Sequence, residues 1–598
     1  MKRIISLLLA LVVFVGCASV LASCGAPEDA GPEIAVYLGD EVYDFDPTDY
    51  YVNSNAEQLM SMLFEPLFKI SEKGKLEKAA AADYKVNEED RTIVIELRET
   101  YWSDDTRVTA QDYVYAWSNR LLAPDNANPA AALLYDIENA VAVKSGDKGI
   151  YELGAVASGS YEITIKYRVG ADCEQLLRNL ASVATSPVKQ SVVEDSETSK
   201  YYWTKQLNTL VTNGAFKVEE YDLDTAAFTL ARNLGYHQNS SVVDYTDNVT
   251  PAKLISFLNG YGEELVLSYD DITSKTVFYT LEAPIEMREA NKDKASKKDD
   301  LSTYTYVLNT ENELLAIPEV RLALSLALDR ASMAEAIVFG KAADSFVSAS
   351  LAAKLYNGTE RPISTAEDFE AAVALLESVK DKTKGLSKVI NLAINNDEES
   401  IVIAGLAEAA WESLGFDVNV NVLALTKTTI FDSSTNENIE ITDSTVQYLV
   451  KNASYGERDF DVLAVDWQMY SDDPFVALAA FSSSMNGLGK DFTTNKARTN
   501  ISGWWSFDYD SYINAAYMAE TEEERLEALR KAEEILLEAS PIIPLIHNQN
   551  FSFQSDDISD VKADGFGNFV LTKATQRDYQ KYLVEDMPEE EEEEETEE

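Results

Sequence analysis

Histidine is almost missing from this chain: His237 and His547 are the two among 598 residues. Histidine-activated nucleophiles and most zinc sites therefore have little to be built from. Neither histidine lies in a zinc-protease helix motif, and no G-x-S-x-G elbow or P-loop occurs. Both are read as hydrogen-bonded structural residues. Cysteine is equally scarce, at three residues, and Cys17 and Cys24 fall at the extreme N-terminus. A disulfide framework is excluded, and Cys173 is read as a small buried apolar residue. Positive charge is the third shortage, with 50 basic residues against 103 acidic ones and a formal net charge of −53. Such a surface repels nucleic acid and anionic head groups, so no nucleic-acid partner is expected. Carboxylate pairs are so abundant in this composition that none of them marks a glycosidase site. No catalytic residue, metal or cofactor is expected.

An apolar stretch runs from Ile4 to Val15, interrupted by Ser6 alone, behind Lys2 and Arg3. That run is shorter than the ~20 residues a spanning helix needs, so it reads as an export signal. Leu21-Ala22-Ser23-Cys24 resembles the lipobox of bacterial lipoproteins, which implies a signal at 1–23 and lipidation of Cys24. The polar stretch "GAPEDAGPE" then reads as a tether over 24–32. At the other end, "EDMPEEEEEEETEE" is too charged to fold, and 583–598 is expected to be a solvated acidic tail. From about 33 to 582 no repeat, Pro/Gly-rich linker or second apolar span intervenes.

Within that body helical and strand patterns alternate, as in α/β domains. "TIVIEL" puts Ile93, Ile95 and Leu97 on one face of a half-buried strand. "WSDD" reads as a tight turn, and Thr109 with Asp112 as a capping box before a helix. Pro318 opens a helix at a position where its missing N–H is harmless. Phe460 to Trp467 reads as a buried strand. Leu526, Leu529, Ala532, Ile535, Leu536 and Ala539 form one stripe of a long helix, which proline ends before a strand containing Ile542, Ile543, Leu545 and Ile546.

"LRETYWSDDTRVTAQDYVYAWSNRLLAPDNANPAA" resembles the signature region of the oligopeptide-binding proteins of ABC importers, the large peptide-type solute-binding family. Matches follow in the family's order: "FDPTDYYVNSNAEQLMSMLFEPLF", "LVTNGAFKVEEY", "PEVRLALSLALDR", "DVLAVDWQMYSDDPF" and "ASPIIPLIHN". Asp105 stands where the family usually has glycine, a change that a left-handed turn tolerates. Trp102 and Trp117 are then expected to be packing anchors of a rigid domain.

The resemblance implies an α/β, two-lobed periplasmic-binding-protein-like fold of class II type with an extra inserted domain, three domains in all. Lobe I would take 33–72, 211–305 and 545–582, the extra domain 73–210, and the second lobe 306–544. A lipid-anchored monomer at the outer face of the cell membrane is implied, capturing oligopeptides for an ABC permease and its ATPase. The same fold binding an oligosaccharide, a glycan hydrolase and a signalling receptor are the alternatives. The family holds the peptide ammonium with an aspartate after a tryptophan, but the matching residue here is Tyr470. Asp472 and Asp473 either take over that role or merely form the turn before Pro474. Trp467, Tyr470, Tyr51 and Asn53 are further implied ligand contacts, and Asn213 and Gly214 either offer main-chain contacts or simply form a turn.

Overall fold

The computed structural model describes residues 31–582, apart from 40–41, 43, 50–53, 196–198, 206–208, 222–226, 239–248, 259–266, 364–366, 433–434 and 486–497. The expected signal, Cys24, the acidic tail, Tyr51 and Asn53 lie outside the described residues.

Three main sheets organise the chain. The first has five strands, in the order Tyr279–Thr280, Glu33–Tyr37, Leu254–Leu258, Phe228–Arg232, Phe216–Tyr221. Glu33–Tyr37 pairs in parallel with both neighbours, and the other pairings are antiparallel. The second is a four-stranded antiparallel sheet drawn from residues 81–166, with Ile93 and Ile95 fully buried as their alternation requires. Beside it, the "WSDD" turn closes through an Asp105 N–H bond to the Trp102 carbonyl, and Asp105 adopts φ 64. The Asp112 carboxylate accepts from both Thr109 N and Oγ1, at 2.8 Å each, and so secures the helix Ala110–Tyr115. Trp102 and Trp117 are both buried, and the Trp117 indole donates to the Thr185 carbonyl.

The third sheet has six strands: Lys341–Ala342, Ile542–Ser552, Ser296–Leu308, Val462–Gln468, Val389–Asn395 and Asp417–Leu423. Apolar side chains cover both of its faces. One face carries the helices Pro318–Leu326, Arg330–Ile337 and Glu398–Ser413 around Tyr306 and Trp411. The other meets Ala349–Tyr356, Pro474–Ala479, Phe507–Met518 and Glu522–Ala539, whose apolar side chains run on into the core of the rest of the molecule. A strand buried on both faces reads as a continuous apolar run, which accounts for "IIPLI" at 542–546. The long helix ends where Ser540 turns left-handed, at φ 47, with Pro541 following.

Two long antiparallel strands tie the third sheet to the first body. Ser296–Leu308 and Ile542–Ser552 run side by side, and Phe551 and Phe553 pack with Tyr37 and Phe339 at the far end. Their register breaks twice: Thr305 pairs with Pro544 directly after Tyr304 with Ile546, and Asp299 pairs with Gln549 but Thr303 with His547, so Asp300, Leu301 and Ser302 face Asn548 alone. Such a bulge bends and twists a strand pair. The side chains change character there as well. Apolar Tyr304, Tyr306, Ile543 and Ile546 give way to Asp299, Asp300, Ser302, Asn548 and Asn550. The implied borders at 305/306 and 544/545 fall inside these two strands.

Candidate functional site

The strand Val462–Gln468 runs straight into the candidate segment. Beyond its end the Met469 N–H still bonds the Leu301 carbonyl, and Tyr470 then takes φ 62. That left-handed residue breaks the strand and turns the chain into the helix Pro474–Ala479, with proline in its first turn. Trp467 is fully buried, stacked on Phe481 at 4.8 Å and edge-on to Phe346. Tyr470 is 1% exposed. Both side chains belong to the interior.

The adjacent aspartates part company. Asp473 caps the helix, accepting from Phe475 N at 3.0 Å, and its other oxygen accepts from Arg525 at 2.7 Å. Burial pushes its carboxyl up, but the Arg525 charge and hydrogen bond outweigh this and hold it below the usual range. This is the turn alternative, with an ion pair added that the sequence did not suggest. Asp472 instead reaches across to the helix Cys173–Asn179. It accepts from Gln175 at 3.1 Å and Arg178 Nε at 2.8 Å, with a further bond from the Arg178 fork. Ser471 donates to Asn179 on the same helix. Behind these residues, an enclosed cavity of about 10 Å³ is lined by Asp136, Arg168, Asn179, Asp473, Tyr517 and Arg525. It holds room for about one water. At this point residues 471–472 and the helix Cys173–Asn179 are joined by direct contacts.

Asn213 and Gly214 serve the first body. The Asn213 amide accepts from Glu65 N at 3.0 Å and donates to Glu65 O at 3.1 Å, mimicking a strand pairing. Gly214 N–H bonds Leu63 O, and a Cβ on Gly214 would lie 2.5 Å from the Met62 carbonyl oxygen. Glycine is needed there for close backbone approach. Glu65 itself is buried, accepting from Tyr236 at 2.5 Å and contacting His237 Nε2 at 2.8 Å. His547 sits between Thr303 and Asp344, and burial lowers its pKa. Both histidines are held by hydrogen bonds, as read from the sequence.

Sequence reasoning missed the residues that the candidates meet. Arg178, Arg525 and Lys205 carry no local signature, because their partners lie far away along the chain. Lys205 contacts Asp44 at 3.3 Å and also Asp443, and all three side chains are nearly buried. Glu533 interrupts the apolar stripe of the long helix. Its carboxylate accepts from Phe346 N and Val347 N at 2.7 and 2.9 Å, and from the Tyr356 hydroxyl. A break in an otherwise clean stripe was the available signal. No group of three or more His, Cys, Asp or Glu suited to a metal ion occurs among the described residues.

Residues 75–488 match the family described as bacterial extracellular solute-binding proteins, family 5 middle. The periplasmic murein peptide-binding protein MppA of Escherichia coli is 26% identical over 527 residues, 87% of this chain and 88% of that protein. The oligopeptide-binding protein OppA of Bacillus subtilis is 23% identical, covering 86% and 87% of the two chains. Among solved structures, the E. coli murein tripeptide binding protein aligns with TM-score 0.72 at 23% identity, over 92% of this chain and all of that one. Haemophilus influenzae OppA in complex with RPPGFSPFR aligns with TM-score 0.71 at 21% identity, over 92% and 99%. Against the unliganded open form of MppA the TM-score is 0.51 at 23% identity and 92% coverage of this chain.

Proposed function

Because the chain belongs to the bacterial extracellular solute-binding proteins of family 5, we propose that it captures peptides between two hinged lobes and passes them to the permease of an ABC importer. It is a binder, not an enzyme. Peptide as the ligand class is supported by the relatives, which are named for murein peptides and oligopeptides. Anchoring through a lipid on Cys24 completes the reading, with lobe borders in the two long strands and an inserted domain over 73–210.

The observation that carries it is the contrast between hinge and seam. Two continuous strands whose register breaks twice, at 300–302 and at Leu545, join the bodies, whereas side-chain ion pairs and hydrogen bonds hold the seam closed. A bulged strand pair absorbs rotation, and side-chain contacts across a seam break without disrupting either body's core. Among the candidates, Asp472 is the carboxylate placed at that seam. Its two oxygens are already engaged by Gln175 and Arg178, so it acts on closure and does not read a ligand ammonium. Main-chain hydrogen bonds to an extended peptide are the sequence-tolerant alternative for affinity.

Calorimetry with a pool of tripeptides to pentapeptides, each free or N-acetylated, tests this reading. One peptide should bind per protein with no peptide consumed, and an oligosaccharide set should give no heat. Asp472→Asn should weaken free and acetylated peptides equally. A loss confined to the free-amino peptides would return the ammonium role to Asp472, and turnover of any probe would sink the binding reading.

A further inference from the structure

Among the described residues, the longest of three two-stranded ribbons stands apart from the larger sheets. Leu425–Asp432 and Glu437–Ser444 pair only with each other, as an antiparallel ribbon projecting from the far lobe ahead of the helix Thr445–Ser454. Its outward residues are largely exposed, Phe431 at 54% among them. A lone two-stranded ribbon is marginal in water and needs outside support.

Support comes from the opposite body at two points. Tyr202 donates to the Asp432 carboxylate at 2.6 Å, and Asp432 is fully buried by the contact. Lys205, one helical turn along, lies between Asp443 of the ribbon and Asp44 of the N-terminal segment. The side chains of Lys205, Asp44 and Asp443 are 7%, 9% and 13% exposed. A third contact, from Tyr455 to the Asp125 carbonyl at 2.8 Å, follows just beyond the next helix. Burial works against the Lys205 charge, yet Asp44 and Asp443 hold its pKa above the ordinary lysine range. Burial raises the Asp443 carboxyl in spite of Lys205, while Asp44 is held low. Asp44 is also held from within its own body, accepting from Thr204 at 2.6 Å, whereas the Lys205–Asp443 hydrogen bond crosses to the ribbon. Charge-assisted bonds shielded from water are strong, but those from Tyr202 to Asp432 and from Lys205 to Asp443 exist only while the two bodies touch.

We propose that this ribbon is a latch, which clasps the Tyr202–Lys205 segment and holds the lobes together before any ligand arrives. The latch rests on the two-lobed reading above and adds to it that closure does not depend on cargo. Ligand entry then requires the ribbon to let go, and binding is paced by latch opening.

The test is energy transfer between dyes on the full chain, freed of copurified ligand by denaturation and refolding. Cysteines replace Tyr151 in the inserted domain and Ile401 in the far lobe, 96% and 46% exposed, with Cys17→Ser, Cys24→Ser and Cys173→Ser removing the native thiols. The ligand-free chain should show mainly the high-transfer, closed population. Tyr202→Phe with Asp443→Asn should shift molecules to low transfer, by about tenfold in the closed-to-open ratio for each charged hydrogen bond removed. Lys427→Ala with Glu440→Ala removes an exposed pair on the same ribbon and should leave the ratio unchanged. An open ligand-free chain, or equal transfer in the latch variant and its parent, would overturn the proposal. Circular dichroism confirms that each variant is folded. Because the readout needs no peptide, failure of the peptide pool to bind would count against the proposed function and leave this result standing.

Discussion

Arg525→Leu is expected to cost about 3–5 kcal/mol of folding stability at neutral pH, the usual penalty for stranding one member of a buried ion pair. Its partner is Asp473, whose side chain is 2% exposed and 2.7 Å from the guanidinium. Leucine keeps much of the apolar contact over the Phe475 ring. It leaves a carboxylate enclosed with the Phe475 N–H and with Asp136 nearby. The sign with pH follows from the direction of the Asp473 shift. Its folded pKa is lowered, so the parent gains stability above the unfolded carboxyl pKa, near 3.9, and loses it as pH falls through the lower folded value. In the variant the Asp473 pKa should rise instead, because burial is no longer opposed. The gap between parent and variant is then widest at pH 7 and narrows toward pH 4. Urea midpoints across that range check it, and Asp473→Asn added to Arg525→Leu should recover most of the loss, since asparagine also caps a helix. A pH-independent gap, or one under about 1 kcal/mol, would mean that the pair is solvated like a surface bridge.

Asp472 and Asp473 show where a sequence stops being informative. They are adjacent, chemically identical and both precede a proline, so the two roles weighed for them applied equally to each. What separates them is direction, since alternate residues in an extended segment point opposite ways. Asp473 turns inward to Arg525, 52 residues on, and Asp472 outward to Arg178, 294 residues back. Neither separation leaves a periodic trace. Local features were legible for the converse reason. The Thr109–Asp112 box, the "TIVIEL" alternation, Pro318 and the 522–539 stripe each depend on neighbours within a turn or a pleat. The ribbon falls between these cases. Its Thr- and Ile-rich halves carry a strand pattern, but nothing local states that the ribbon would stand apart from the sheets and touch Tyr202 and Lys205. Asn213 and Gly214 match a family motif, yet their geometry ties them to Glu65 and Leu63 within their own body.

The buried acids around the strand bulge should make this protein less stable as pH rises, and Glu57 should contribute a large share. Glu57 lies on the helix Ser54–Leu63, 3% exposed, with one weak bond from Asn568 at 3.4 Å. Burial, then the charges of Asp300 and Asp564, push its carboxyl up to about 8. Asp300 and Asp564 are themselves raised to about 6, chiefly by burial. A raised acid binds its proton more tightly in the folded state, so unfolding releases protons between about pH 4.5 and 8. Stability falls through that window and levels off above it. Moving one carboxyl from 4.5 to about 8 amounts to roughly 4–5 kcal/mol at 1.36 kcal/mol per pH unit. Glu57→Gln keeps the shape and the acceptor for Asn568 but has no charge to bury. It should match the parent near pH 4.5 and exceed it by several kcal/mol at pH 9, with the remaining slope left to other raised acids, Asp300, Asp564 and Asp466 among them. Urea titrations at both ends of the window decide the matter. An offset of the same size at every pH would mean that Glu57 folds already ionised, and the acids at the bulge would then have to be neutralised by something other than a shared reluctance to ionise.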